Sequence, residues 1–307
     1  MAASVLVAGA YGALGRHVVR QLRQRSYRVA GIGHGTAQWP ADAPPIDHWV
    51  AGEINQRSLD EIGAACGDFI ALINVAGGGA VRPSLLDPVA DFRKTVLATV
   101  DMADWVRTRS PRTVMVVASS AAVYGDSYNE QISEDCPAAP VSPYGFHKLM
   151  MEGVMASYAV NFGVASAVVR LFSVYGPGLR KQLVFDVCSR LALGPESIML
   201  SGTGAERRDW LWIEDAARLL VDAISHADVA PLIVNGCTGV GTSVAVLTHE
   251  LAKLFGERTK IEFDAVARTG DPMHLVGATE RLSQLGFRAQ VGLTEGLSSV
   301  AAQWHRP

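Results

Sequence analysis

The apolar positions of the chain fall into short unbroken runs rather than into strict alternation. SVLVAGA (4–10), RVAGI (28–32), FIALINVAG (69–77), TVMVVASSAAVYG (113–125) and VASAVVRLFSV (164–174) are such runs, separated by helix-length stretches. Ala13 to Gln24 reads as the first helix. Runs without alternation suit strands buried on both faces. Their alternation with helices predicts an α/β fold built on a doubly wound parallel sheet. After about residue 173 the pattern changes. Gly and Pro become frequent, in YGPG (175–178), LGPE (193–196) and SGTG (201–204). A helix at about 214–226 and a strand LIVNG (232–236) are expected to return to the sheet. The expected division is one domain from 1–173 plus about 209–237, and a smaller C-terminal lobe from about 174–208 plus 238–307.

Size and composition leave this picture standing. The 307 residues, 49% hydrophobic and 19% charged, suffice for one large α/β domain and a smaller lobe. A net charge of −3 gives no reason to expect nucleic acid or an anionic membrane as partner. No apolar run reaches the ~20 residues of a membrane span, and MAASVLVAGAYG lacks the basic start of a signal peptide. The four cysteines (Cys66, Cys136, Cys188, Cys237) are widely spaced, form no CxxC pair and read as reduced packing residues. A cytoplasmic protein without metal is expected.

The first candidate chemistry lies between the first strand and the first helix. Gly9, Gly12 and Gly15, with Ala13 and Leu14 between the last two, form a GxxGxxG loop. Glycines let a backbone turn tightly against a pyrophosphate, which then sits on the free N–H groups of the helix N-terminus. A dinucleotide is therefore expected, on a Rossmann-type domain, with the substrate in the C-terminal lobe. NAD is normally held by an acidic residue at the end of the second strand. Here that position is Gly33, followed by His34, and residues 1–41 contain no Asp or Glu. Arg16 and His34 could receive a 2′-phosphate, so NADP is favoured, with NAD possible. The loop spacing resembles the short-chain dehydrogenase/reductase superfamily. By that resemblance Glu53 and Ile54 stand where an acidic–apolar pair meets the adenine, and Ala76 ends a strand beside the cofactor.

The second is Tyr144-Gly145-Phe146-His147-Lys148, a YxxxK pair opened by Ser142-Pro143, an N-cap followed by proline at the first helical position. Tyr144 and Lys148 then share one helix face. Hydride transfer at a carbinol carbon needs a group that takes the oxygen's proton. Tyrosine, with an ordinary pKa of ~10, does so when a nearby ammonium favours the phenolate. The same lysine can hold a ribose. Ser119-Ser120 ends a preceding strand, and Ser120 is positioned to hydrogen-bond the substrate oxygen. The expected catalytic set is Ser120, Tyr144 and Lys148.

Together these segments resemble the extended branch of that superfamily, the NAD-dependent epimerase/dehydratase family acting on nucleotide sugars. The resemblance continues through RLFSVYGPG (170–178), GTG (202–204) with RDWLWIED (208–215), and RTGDP (268–272). It implies that Arg208 and Arg268 clamp a diphosphate, with Ser173 and Asp271 also at the substrate; guanidinium forks suit phosphate oxygens. The chain departs from the family in having Ser173 for the usual Asn and Thr95 for another. Ala121-Ala122 replace the Asp-Glu pair of the family's sugar dehydratases. A methyl group cannot transfer a proton, so dehydration is not expected. The main expectation is NADPH-dependent reduction of a 4-keto nucleotide sugar. The alternative is an NAD-dependent nucleotide-sugar 4-epimerase, and a remote one is a non-catalytic NADP-binding sensor. The helices near 86–109 and 143–161 are expected to form a homodimer, with Leu85, Leu86, Val89, Val96 and Met102 offering apolar surface.

Overall fold

The computed structural model describes residues 2–256, 258–266 and 272–304. Strands and helices alternate from the start: β1 (Ser4–Ala8), α1 (Ala13–Gln24), β2 (Arg28–Gly33), β3 (His48–Ala51), α2 (Gln56–Cys66) and β4 (Ala71–Asn74). Then come α3 (Val81–Leu86), α4 (Pro88–Phe92), a π-helical turn (Arg93–Leu97), α5 (Ala98–Arg109), β5 (Val114–Ser120), α6 (Pro143–Phe162) and β6 (Ser166–Leu171). The later elements are β7 (Ser173–Tyr175), α7 (Gln182–Leu191), β8 (Ser197–Leu200), β9 (Arg207–Trp212), α8 (Ile213–Asp222) and β10 (Leu232–Gly236). They end with β11 (Gly241–Ser243), α9 (Val244–Leu254), β12 (Lys260–Phe263), β13 (His274–Leu275), α10 (Glu280–Gln284) and α11 (Leu293–Ala301).

The apolar runs form one seven-stranded sheet in the order β10-β6-β5-β4-β1-β2-β3. From β3 to β6 every neighbouring pair is parallel. The order reverses between β1 and β4, the switch point at which open α/β sheets bind ligands. β1, β4 and β6 are buried along nearly their whole length, as runs without alternation require. This is the Rossmann-type architecture expected. Among the described residues no helix is long and apolar enough to cross a membrane.

Two compact units divide the chain. The first comprises Met1–Val123, Pro140–Leu171 and Ala216–Val234, and the second Tyr124–Ala139, Phe172–Asp215 and Asn235–Pro307. The division differs from the sequence expectation chiefly in that 124–139 and 209–215 fall in the second unit, as do 172–173 and 235–237 at the boundaries. The reason is strand pairing. The run 164–174 breaks at Phe172, and its last part, β7, pairs with β9 instead of joining the large sheet. Likewise β9 pairs with β11 and β13, while Ile132 bridges to Gly277. In the second unit Val187, Cys188, Leu191, Leu247, Leu251 and Leu297 belong to a core of its own.

Candidate active site

The glycine loop is shaped by close approach. Gly9 follows β1 with φ +82°, its N–H donates to the Ile32 carbonyl at 2.7 Å, and a Cβ there would lie 2.7 Å from the Ala76 nitrogen. Only glycine relieves both demands. Gly12 is the N-cap of α1, and its N–H donates to the Gly9 carbonyl at 3.0 Å. A Cβ on Gly15 would overlap that same carbonyl. Ala13 and Leu14 form the first helical turn, which has no side-chain cap and no acidic residue. A helix start of this kind, with its free N–H groups and positive dipole end, fits an anionic pyrophosphate. These residues fit a dinucleotide.

The adenosine side is less fully drawn. Arg16 lies with its guanidinium 4.8 Å from the Tyr11 ring centre, and its Nε donates to the Tyr11 carbonyl at 3.1 Å. His34 is exposed just past β2. Gly33 itself has φ +145°, and a Cβ would sit 3.3 Å from the Gly9 nitrogen. Glu53 is exposed, and its carbonyl accepts from the Ser58 hydroxyl. Ile54 and Ala76 pack on the core beneath the sheet, and the Ala76 N–H donates to the Asn74 side chain at 3.0 Å.

α6 carries the tyrosine and lysine as its start predicts. Ser142 caps it by accepting from the Gly145 N–H at 3.2 Å, Pro143 opens it, and Gly163 ends it in the left-handed region at φ 70°. Ser120 ends β5, where its Oγ accepts from the Ala122 N–H at 3.2 Å, and its hydroxyl acts on the buried Tyr144 phenol. Burial pushes the phenol pKa above its ordinary value; the Ser120 hydroxyl pulls it down and the Asp91 charge pushes it up. Lys148 Nζ donates to the Ala118 carbonyl at 2.8 Å and lies 5.9 Å from the Tyr144 ring centre. Burial pushes its pKa down to about 8, against the charges of Asp91 and Glu152. The ammonium is therefore anchored on β5, and in the chain alone the phenol is not lowered as the YxxxK spacing led us to expect. Desolvation is the largest influence on it.

In the second unit Arg208 is buried on β9, opposite Thr242 of β11 and Leu275 of β13, and its Nη1 donates to the Arg207 carbonyl at 2.9 Å. Ser173 opens β7, paired with Trp210. Arg268 and Asp271 lie outside the described residues. Two cavities of about 400 and 520 Å³ both include Trp210 in their walls, and neither is lined by Ser120, Tyr144 or Lys148. Among the described residues no cluster of metal-ligating side chains occurs, and all four cysteines are free.

A model of the NAD dependent epimerase/dehydratase family matches residues 5–235. The chain belongs to that family. It is accordingly an NAD(P)-dependent enzyme of the extended short-chain dehydrogenase/reductase type. A putative UDP-glucose 4-epimerase of Methanocaldococcus jannaschii is 27% identical, over 96% of each chain. The solved structure of MoeE5 in complex with UDP-glucuronic acid and NAD is 29% identical, covers 98% of each chain and has a TM-score of 0.85. A UDP-glucose 4-epimerase of Thermotoga maritima, solved with UDP-glucose, has a TM-score of 0.89 at 22% identity and covers 97% of each chain; it speaks for the fold alone.

Within this family member, sequence reasoning missed two buried polar groups behind Ser120, Tyr144 and Lys148. Asp91 of α4 meets His147 of α6. Glu152, one turn beyond Lys148, meets Ser119 and Arg170. A signal was available for the second: a glutamate four residues after the lysine on a mostly apolar helix.

Proposed function

We propose that the chain is an NAD-dependent 4-epimerase of a nucleoside-diphosphate sugar. The observation that carries this reading is the placement of Ser120 at the end of β5, the strand on which the Lys148 ammonium four residues past Tyr144 is anchored, in a chain aligned end to end with UDP-sugar 4-epimerases. In this reading the first unit binds the dinucleotide and the second binds the substrate, with Ser173, Arg208, Arg268 and Asp271 as its ligands. Gly9, Gly12, Ala13, Leu14 and Gly15 hold the pyrophosphate. Arg16, His34, Glu53, Ile54 and Ala76 line the rest of the cofactor, and Lys148 holds a ribose. When bound, NAD would supply a hydride acceptor at sugar carbon 4, a hydride donor to the opposite face of the resulting ketone, and a positive ring that favours a nearby phenolate. Ser120 donates to the substrate oxygen and orients it. Tyr144 takes that oxygen's proton as the ketone forms and gives it back as the alcohol is restored.

The ketoreductase expected first from sequence rests on the missing carboxylate at the end of β2. Gly33 weakens that argument. Its φ of +145° disfavours any side chain, acidic or not, so its identity follows from backbone shape. The chain's likeness to epimerases, and to a structure holding NAD, favours the alternative. The two readings separate in one assay. Purified protein is expected to interconvert UDP-glucose and UDP-galactose, or the corresponding glucuronates, with no net change in absorbance at 340 nm and with NAD retained. Stoichiometric oxidation of added NADPH by a 4-keto sugar nucleotide would instead establish the reductase.

We also propose a homodimer through α3, α4 and α6. Leu85, Leu86, Val89, Phe146 and Met150 are exposed there. Val96 and Met102, expected at the same surface, are core residues at 6% and 0% exposure. Met102 points inward because α5 packs on the sheet, and Val96 is buried in the π-helical turn before it. Light scattering is expected to give twice the chain mass, and Leu86→Glu with Val89→Glu to give the monomer. A wild-type monomer at micromolar concentration overturns the dimer.

A further inference from the structure

Beside the catalytic residues sits a pair that no motif marks. Asp91 Oδ2 lies 2.6 Å from His147 Nδ1. Their side chains are only 6% and 11% exposed, respectively. Burying a carboxylate costs several kcal/mol unless it is paired, so this arrangement is maintained against a penalty. Its surroundings are closely fitted. A methyl group on Gly78, in the loop after β4, would overlap the Asp91 carboxylate. The Gly78 N–H donates to Thr95 in the π-helical turn at 3.0 Å. The Phe92 ring meets the His147 ring edge-on at 5.5 Å. The pair thus ties three segments together: the loop after β4, the α4–π turn and the first turns of α6. His147 stands between Tyr144 and Lys148 in sequence, on the same helical stretch.

We infer that Asp91 and His147 are a positioning pair for catalysis, fixing the turn that carries Tyr144 and Lys148 and supplying the negative charge that the Lys148 ammonium faces. For its effect on rate this rests on the reading of Tyr144 and Lys148 given above; its effect on Lys148 does not. A buried ammonium without a nearby anion gives up its proton readily. The carboxylates whose charge acts on Lys148 are Asp91 of α4, which is held against the adjoining His147, and Glu152 one turn away on α6; the Tyr144 ring centre lies 5.9 Å from its Nζ. β5 contributes only the neutral Ala118 carbonyl. Of the two carboxylates Asp91 acts more strongly, and Glu152 is already engaged by Arg170 and Ser119.

The test reads Lys148 directly, in the cofactor-free chain, by ¹⁵N side-chain NMR of labelled lysines with Lys148→Met supplying the assignment. The wild-type ammonium is expected to titrate at about 8. Asp91→Asn keeps shape and removes charge, and is expected to lower that midpoint by about one unit or more. The alkaline limb of turnover should move the same way. His147→Gln keeps a donor toward Asp91 and should leave the midpoint at or above the wild-type value. An unmoved Lys148 midpoint in folded Asp91→Asn overturns the proposal. If Asp91→Asn does not fold, a midpoint in His147→Gln below the wild-type value overturns it. Because the titration needs no substrate, it stands or falls separately from the epimerase assay.

Discussion

Tyr144→Phe is expected to lower turnover by about 10²–10⁴-fold, the usual contribution of a general acid–base group, with fold and cofactor affinity unchanged. Only the hydroxyl is lost, and the ring still packs. Ser120→Ala should also cost rate, and by less, because it leaves the proton carrier in place. Lys148→Met should behave differently from both. Its Nζ is anchored on Ala118 and is assigned to the ribose, so rate and cofactor affinity should fall together. The measurement is kcat and KM for UDP-glucose, with NAD affinity by calorimetry, on all four proteins. Near-normal turnover by NAD-loaded Tyr144→Phe would mean that another group moves the proton, and that the motif marks a binding fold only.

Local features of this site were legible in the sequence because each is fixed by neighbours along the chain. The glycine loop, the span of α1, the strand LIVNG and the Ser142-Pro143 start of α6 depend on turns, caps and short-range periodicity. What was hidden depends on distant partners. The run 164–174 looks continuous, yet it is shared between β6 and β7, which pair with different sheets. The short β3 (His48–Ala51) is only half-buried and gave no apolar run. The helix expected over 86–109 is interrupted by a π turn at Arg93–Leu97, where Thr99 Oγ1 donates back to the Thr95 carbonyl at 2.7 Å, a bond that competes with the helical ladder. Asp91 and His147 are 56 residues apart, and neither position alone distinguishes a buried pair from a solvated helix face. The preference for NADP over NAD finds no support, for another reason. The missing acid at Gly33 was read as chemistry, whereas the positive φ makes it a requirement of the backbone.

The second large effect concerns the ion pair beneath β5. Arg170 Nη2 donates to Glu152 Oε2 at 2.7 Å and Nε to Oε1 at 3.0 Å, with both side chains 6% exposed. The Ser119 hydroxyl donates to the same Oε1 at 2.5 Å. One carboxylate therefore joins β5, α6 and β6 at the end of the sheet where Ser120 and Lys148 sit. Arg170→Met strands that carboxylate in the core. Breaking a buried pair from one side typically costs about 3–5 kcal/mol, and that loss is expected here. The double variant Glu152→Met, Arg170→Met removes both charges and should recover most of it, because apolar groups of similar volume often replace a buried pair at little cost. What remains should be close to the ~1–3 kcal/mol of an unsatisfied Ser119 hydroxyl. The readout is amide hydrogen exchange along β5 and α6 alongside urea unfolding, since two compact units need not unfold in one step. Two results would count against this account: a loss below about 1 kcal/mol in the single variant, or a double variant as unstable as the sum of the two singles. Either would mean that packing around the pair, and not its charge, holds the catalytic end of β5 in place.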